Sequence, residues 1–177
     1  MTEAEYLALP AEAPYLEYVN GEVLAKAMPD RNHMVLIQAV AFAIGLYVRA
    51  NGGLCGPEGR SRFVRPGGIA EYRLPDYSYW RPGTQHSDED ALLPPTLAVE
   101  VRSPDESMAS QREKCRFYRE RGVDVCWLID PLSRSVEVFE DSLDGEPVAH
   151  GGALESSRLP GFSLPLAELF GALVASP

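Results

Sequence analysis

Hydrophobic and polar positions alternate with period two along "TLAVEVRSPD", residues 96–105. Leu97, Val99 and Val101 fall on one side; Ala98, Glu100 and Arg102 fall on the other. This is the pattern of a strand, whose successive side chains point to opposite faces. One face is wholly aliphatic, which marks a core element. The other carries a carboxylate and a guanidinium. "YLEYVNGEVLAKA" predicts two strands around Asn20-Gly21, a turn pair suited to positive φ at both residues. From Asn32 to Ala50 the positions Val35, Ile37, Val40, Ile44, Tyr47 and Val48 trace a helical stripe. Asp30 or Asn32 can cap that helix, and Gly52-Gly53 ends it.

"SRFVR" predicts one short strand, and "YRLPDYSYW" a second with Pro75 at its start. "RPGTQHSDEDALLPP" reads as a polar loop, and Ser103-Pro104 stops the strand at 96–102. The next helix starts between Ser107 and Ser110, where Ser110 with Glu113 makes a capping box if Ser110 is the cap, and ends at Gly122. "VDVCWLID" and "SVEVFE" are two further strands, and "LPGFSLPLAELFGAL" predicts a turn and a short docking helix. Strand, helix and strand over 96–130 predict a right-handed parallel crossover. The strands before it predict antiparallel neighbours. The fold class is α/β (α+β), a mixed central sheet flanked by helices, in one domain spanning residues 1–177.

Composition changes this picture little; charge changes it more. The three cysteines are odd in number and widely spaced, which fits neither a disulfide framework nor a zinc knuckle. No run of about 18 apolar residues is evident and the start lacks the pattern of a signal peptide. A cytoplasmic chain with no membrane span is therefore expected. The net charge of −10 argues against a general nucleic-acid binder. The charge is uneven, however. "QREKCRFYRER" at 111–121 holds five basic and two acidic residues, and Arg60, Arg62 and Arg65 form a second basic cluster.

An ionised carboxylate in a core strand is costly unless it is paired, hydrogen-bonded or metal-bound. Arg102 on the same face is one partner for Glu100. Asp76, on the preceding strand, is a second if the strands around 72–80 and 96–102 pair as a hairpin. Two adjacent carboxylates shift each other's pKa or recruit a cation. Lys114 is a third candidate, sharing a helix face with Tyr118 at i+4. Acidic pair, hard cation and positive side chain together suit phosphodiester hydrolysis.

These residues bring a resemblance into view. Pro75-Asp76, then "VEVRSP" at 99–104, then Lys114 and Tyr118, then "GVDVCWLIDP" at 122–131 resemble the Uma-type endonuclease family. That family belongs to the PD-(D/E)XK, restriction-endonuclease-like superfamily. "YVNGEVLAKAMPDRNH" is similar to the family's Gly-Glu hairpin followed by a proline and a helix-starting histidine. The resemblance runs over roughly residues 14–170. It implies a restriction-endonuclease-like core with an N-terminal β-hairpin, a Mg²⁺ (or Mn²⁺) cofactor and cleavage of DNA. Asp76 and Glu100 match the acidic metal ligands. Arg102 stands where the superfamily usually has its lysine, and Lys114 matches the lysine that the Uma-type pattern places on the next helix.

The resemblance therefore implies Asp76, Glu100 and Lys114 as the catalytic set, with Glu22, Arg102, His33 and Tyr118 as accessory candidates. Each also has a plain structural reading: Asp76 as a strand-end residue, Glu100 as the ion-pair partner of Arg102, Lys114 as part of a solvated basic face. Two alternatives stand beside a DNA endonuclease. One is an inactive nuclease-fold module that binds DNA or a protein partner. The other is a metal-dependent hydrolase of a small phosphorylated molecule, which the acidic charge suits. A nuclease can be acidic overall if its basic residues line one cleft, and a symmetric homodimer, which would join two such clefts, is expected.

Overall fold

The Asn20-Gly21 turn forms where the sequence places it, with φ of 55° and 80°. The structure is a computed structural model and describes residues 1–10, 15–84 and 92–173. A short helix α1 (Glu3–Leu7) precedes the hairpin of β1 (Leu16–Val19) and β2 (Glu22–Ala25). Helix α2 (Arg31–Asn51) follows, its first turn capped by the Asp30 side chain accepting from the His33 N–H. Strands β3 (Leu54–Pro57), β4 (Ser61–Val64), β5 (Ala70–Arg73), β6 (Tyr77–Trp80) and β7 (Leu97–Val101) come next. Helix α3 (Met108–Glu120) leads to β8 (Val125–Asp130) and β9 (Ser135–Phe139). The chain ends in β10 (Glu146–Pro147), β11 (Ala153–Leu154), β12 (Leu164–Pro165) and α4 (Leu166–Gly171).

The mixed sheet read from the sequence is present with six strands, and a second, antiparallel sheet of four strands stands beside it. The four-stranded sheet has the order β2-β1-β5-β4, the six-stranded one β10-β9-β8-β7-β6-β3. "YRLPDYSYW" is not one strand. It splits at Leu74-Pro75-Asp76 into β5 of the four-stranded sheet and β6 of the six-stranded one. Proline cannot donate to a ladder, so the chain changes sheets there. β6 pairs antiparallel with β7, with Tyr77 opposite Val99, and β7 pairs parallel with β8 across α3. The helix cap is Ser107, whose hydroxyl accepts from the Ser110 N–H, so Ser110 lies inside the helix. Part of the polar loop expected over 81–95 lies outside the described residues.

The alternation along β7 divides the core. Leu97, Val99 and Val101 join Leu36, Val40 and Ile44 of α2 and Leu166, Leu169 and Phe170 of α4. Ala98 faces the other way, into a cluster with Cys115, Phe117 and Tyr118 of α3 and Phe63 of β4. Helix α3 therefore packs on the six-stranded sheet and meets Phe63 of the four-stranded sheet along one face. Helix α2 is more apolar than the sequence reading allowed. It has 21 residues, and an 18-residue window within it reaches a mean hydropathy of 1.6, long and apolar enough to cross a membrane by length and composition. His33, Leu36, Val40 and Ile44 are buried, while Met34, Phe42 and Leu46 stay exposed.

Gly53 joins α2 to β3 at φ +105°, where a Cβ would lie 2.4 Å from the Trp80 carbonyl oxygen. The strand pair β3–β6 needs that approach. Gly53→Ala is expected to cost about 2–3 kcal/mol through strain and lost pairing. A lower urea midpoint with an unchanged slope would register it.

Candidate active site

Asp76 follows the proline that separates the sheets, at the start of β6. In the β6–β7 register Val101 would face Pro75, which leaves the strand. The Asp76 carboxylate takes the vacant place: Oδ2 accepts from the Val101 N–H at 2.8 Å. Oδ1 accepts from Lys26 Nζ at 2.7 Å, and His33 Nε2 stands 3.4 Å from Oδ2. Lys26 lies just past β2. Its ammonium also donates to Glu58 Oε2 at 2.7 Å and the Leu74 carbonyl at 2.6 Å, which occupies all three of its donors.

Glu100 points from β7 toward α3 and is 2 % exposed. Oε2 accepts from Lys114 Nζ at 3.0 Å and Oε1 from the Tyr118 hydroxyl at 2.8 Å. The i, i+4 spacing therefore delivers both donors to one carboxylate. Glu17 of β1 completes this side: Oε1 accepts from the Leu74 N–H at 2.9 Å and lies 3.7 Å from Lys114 Nζ. Glu17, Lys26, His33, Asp76, Glu100 and Lys114 share the wall of one pocket of about 440 Å³.

The two carboxylates have opposite electrostatics. Burial works against ionised Asp76, but Lys26, His33 and Lys114 outweigh it and hold its pKa below the usual value. Burial pushes Glu100 up to about 8; Lys114 draws it down and the Asp76 charge pushes it further up. Burial also disfavours the Lys114 ammonium, yet Glu100, Glu17 and Asp76 prevail and raise its pKa. Such divergence between neighbouring acids is the mark of a site able to separate protonated from ionised roles.

The accessory candidates separate. His33 and Tyr118 reach the cluster through Asp76 and Glu100. Arg102 does not. It lies beyond the end of β7 and binds Asp130, with Nε 2.9 Å from Oδ1, and the Glu106 carbonyl at 3.1 Å. The Glu100–Arg102 ion pair is therefore absent among the described residues. Glu22 shares the hairpin face of Glu17 and Leu24 but sits at the turn, opposite Val19, exposed and outside the pocket wall. Lys26, Glu17 and Glu58 were missed. Lys26 continues the alternation of Leu24 in "GEVLAKA", but its acceptors come from segments more than 30 residues away.

The donor set is hard oxygen. Among the described residues no group of three or more His, Cys, Asp or Glu side chains is arranged to hold a metal. Two carboxylates with waters and substrate oxygens match the usual Mg²⁺ shell. The pocket wall carries five carboxylates (Glu17, Asp76, Glu100, Glu106, Glu113) and three cations (Lys26, Arg73, Lys114), an excess that a divalent cation would balance.

The architecture is that of a nuclease fold: it matches the crystal structure of a putative nuclease belonging to DUF820 from Anabaena variabilis. The TM-score is 0.82, with 23 % identity, covering 98 % of this chain and 99 % of that one. The family model Uma2, described as "Putative restriction endonuclease", matches residues 3–167, and the chain belongs to that family. No curated protein matches the chain.

The raised pKa of Glu100 sets a sign for stability. The folded state holds a proton that an unfolded glutamate releases near 4.5, so stability should fall with rising pH from about 4.5 to about 8. Asp76, shifted down, acts only below this window. Glu100→Gln removes the titration. Its stability relative to wild type should improve by about 3 kcal/mol between pH 5.5 and 8, given about 1.4 kcal/mol per unit of pKa. Urea denaturation across that range checks it; parallel curves would refute it.

Proposed function

We propose that the protein is a metal-dependent endonuclease that hydrolyses DNA phosphodiester bonds. The observation that carries this reading is the convergence of Asp76 and Glu100 from two paired strands on one pocket wall, with Lys114 donating to Glu100 at 3.0 Å. Family membership supports the reaction class. Asp76, ionised and fixed by the Val101 N–H, and Glu100 would hold Mg²⁺ or Mn²⁺. Such an ion supplies charge neutralisation at the phosphate and a more acidic attacking water.

The chain's own residues do the rest. Lys26 offsets the Asp76 charge and keeps the carboxylate in one orientation. Tyr118 fixes one oxygen of Glu100, which aims the other at the pocket. Lys114 is long enough to exchange its hold on Glu100 for an attacking water or a phosphate oxygen. With its raised pKa it acts as a cation, stabilising charge that develops at the phosphate rather than removing a proton.

The test is cleavage of duplex, branched and single-stranded DNA with Mg²⁺ or Mn²⁺. Wild type should cut at least one. Asp76→Asn and Glu100→Gln should lose at least about 100-fold, and Lys114→Met at least about tenfold, a range typical of removed electrostatic stabilisation. Calorimetric Mn²⁺ titration should show binding that Asp76→Asn abolishes. Metal binding without cleavage would favour the inactive-module reading. Absence of both metal binding and cleavage would remove the enzyme claim.

A further inference from the structure

Three cations line the pocket, and two are committed. Lys26 and Lys114 each lie within hydrogen-bond distance of a carboxylate. Arg73 does not. Its side chain comes from the last residue of β5 and is 14 % exposed. Its nearest acid is Glu71, at 3.6 Å from one terminal nitrogen, beyond hydrogen-bond range. Arg65 Nε at 2.7 Å and the Asn20 N–H at 3.1 Å both approach the other oxygen of Glu71, Oε1, and the Oε2 that faces Arg73 has no hydrogen-bond partner among the described residues. Arg73 Nε is buried with no hydrogen-bond partner among the described residues.

What holds Arg73 is an aromatic ring. Its guanidinium carbon lies 3.9 Å from the centroid of Phe117, and Arg121 approaches the same ring at 4.1 Å. A stacked guanidinium is fixed in plane, yet its N–H groups lie around its edge, free to donate. Phe117 and Arg73 are both on the pocket wall with Asp76 and Glu100. Phe117 precedes Tyr118, which binds Glu100, so the guanidinium platform and the carboxylate site are built on the same turn of α3.

We propose that Arg73 is the phosphate-binding residue of this pocket, held over the face of Phe117 to clamp a phosphate oxygen beside the Asp76–Glu100 site. The inference deepens the nuclease reading and rests on it. The ligand chemistry is a phosphate diester or monoester. Planar guanidinium donors match phosphate oxygens in pairs, which a lysine cannot reproduce.

The test compares wild type with Arg73→Met, Arg73→Lys and Phe117→Leu. Arg65 and the Asn20 N–H continue to serve Glu71 in the first two variants, and thermal melts with Mn²⁺ calorimetry identify any that lose the fold or the carboxylate site. Binding of labelled duplex DNA is read in Ca²⁺ across a salt series, and binding of a deoxynucleoside monophosphate in Mg²⁺. Arg73→Met should lose about tenfold in duplex affinity and reduce the salt slope by about 0.9, the release of one counterion. Arg73→Lys should recover the slope but not the full affinity, and Phe117→Leu should weaken affinity with the slope kept. An effect confined to the monophosphate supports the subsite and names a small phosphate as its source, against DNA. If Arg73→Met binds both ligands like wild type, the inference is overturned, while cleavage by that variant would leave the nuclease reading standing. If wild type binds neither, both fall.

Discussion

A carboxylate inside a core strand must be answered by a cation or a proton, and much of this fold is arranged around that demand at Glu100. The strand needs Leu97, Val99 and Val101 for one layer of the core, and Glu100 is the residue left facing the other. At 2 % exposure it has no water to rely on. Lys114 and Tyr118 supply the answer from α3, and they do so because the crossover returns that helix across β7 and β8. Their i, i+4 spacing places both on one side of the helix. The carboxylate thus fixes which face of α3 is turned inward, and Phe117 and Cys115 pack accordingly. A hydrophobic residue at position 100 would pack more cheaply, since buried ion pairs rarely exceed apolar packing in net stability. Retaining an ionisable group there is a cost that stability alone does not explain.

Asp76 solves a related problem differently. Pro75 ends one strand and lets the chain pass from the four-stranded to the six-stranded sheet. That passage leaves the Val101 N–H without a strand partner, and a buried unpaired donor is expensive. The aspartate side chain fills the gap. The same break therefore creates the acceptor's place and brings Asp76 beside Glu100. The hairpin β1–β2 closes the pocket from the other sheet, through Glu17 and Lys26. The pocket exists because two sheets meet there, and each contributes charge to it.

Period-two alternation made Glu100 legible, since a lone carboxylate among valines needs a reason. The Asn20-Gly21 turn, the Asp30 cap and the arrest at Gly52-Gly53 were local chemistry and equally legible. The split at Pro75 was not, because a strand entering a second sheet carries the same alternation as one continuing in the first. Arg102, one candidate partner of Glu100, binds Asp130 instead, and a signal for that existed. Parallel pairing of Val101 with Ile129 sets position 102 beside Asp130. Once the strand ends, the partner across the ladder outranks the neighbour two residues back. Lys26 had no local signal. Glu58, Leu74 and Asp76 reach it only after both sheets have formed.

The charge of the chain bears on how such a pocket could meet a polyanion. At −10 overall, and with carboxylates outnumbering cations on the pocket wall, a phosphate approaching the free protein meets net repulsion. Attraction must therefore be local. Lys26 and Lys114 offer little of it while they neutralise Asp76 and Glu100. A divalent cation at the carboxylates would change both terms, since it adds positive charge and relieves the lysines of part of that duty. Arg73 is different, because its guanidinium lies over the Phe117 ring and its nearest acid, Glu71 at 3.6 Å, is beyond hydrogen-bond range, so its N–H groups stay available with or without the ion. On this view an acidic nuclease fold needs no basic face. A few cations suffice if they converge on the phosphate and the strongest of them is bound only when the site is loaded.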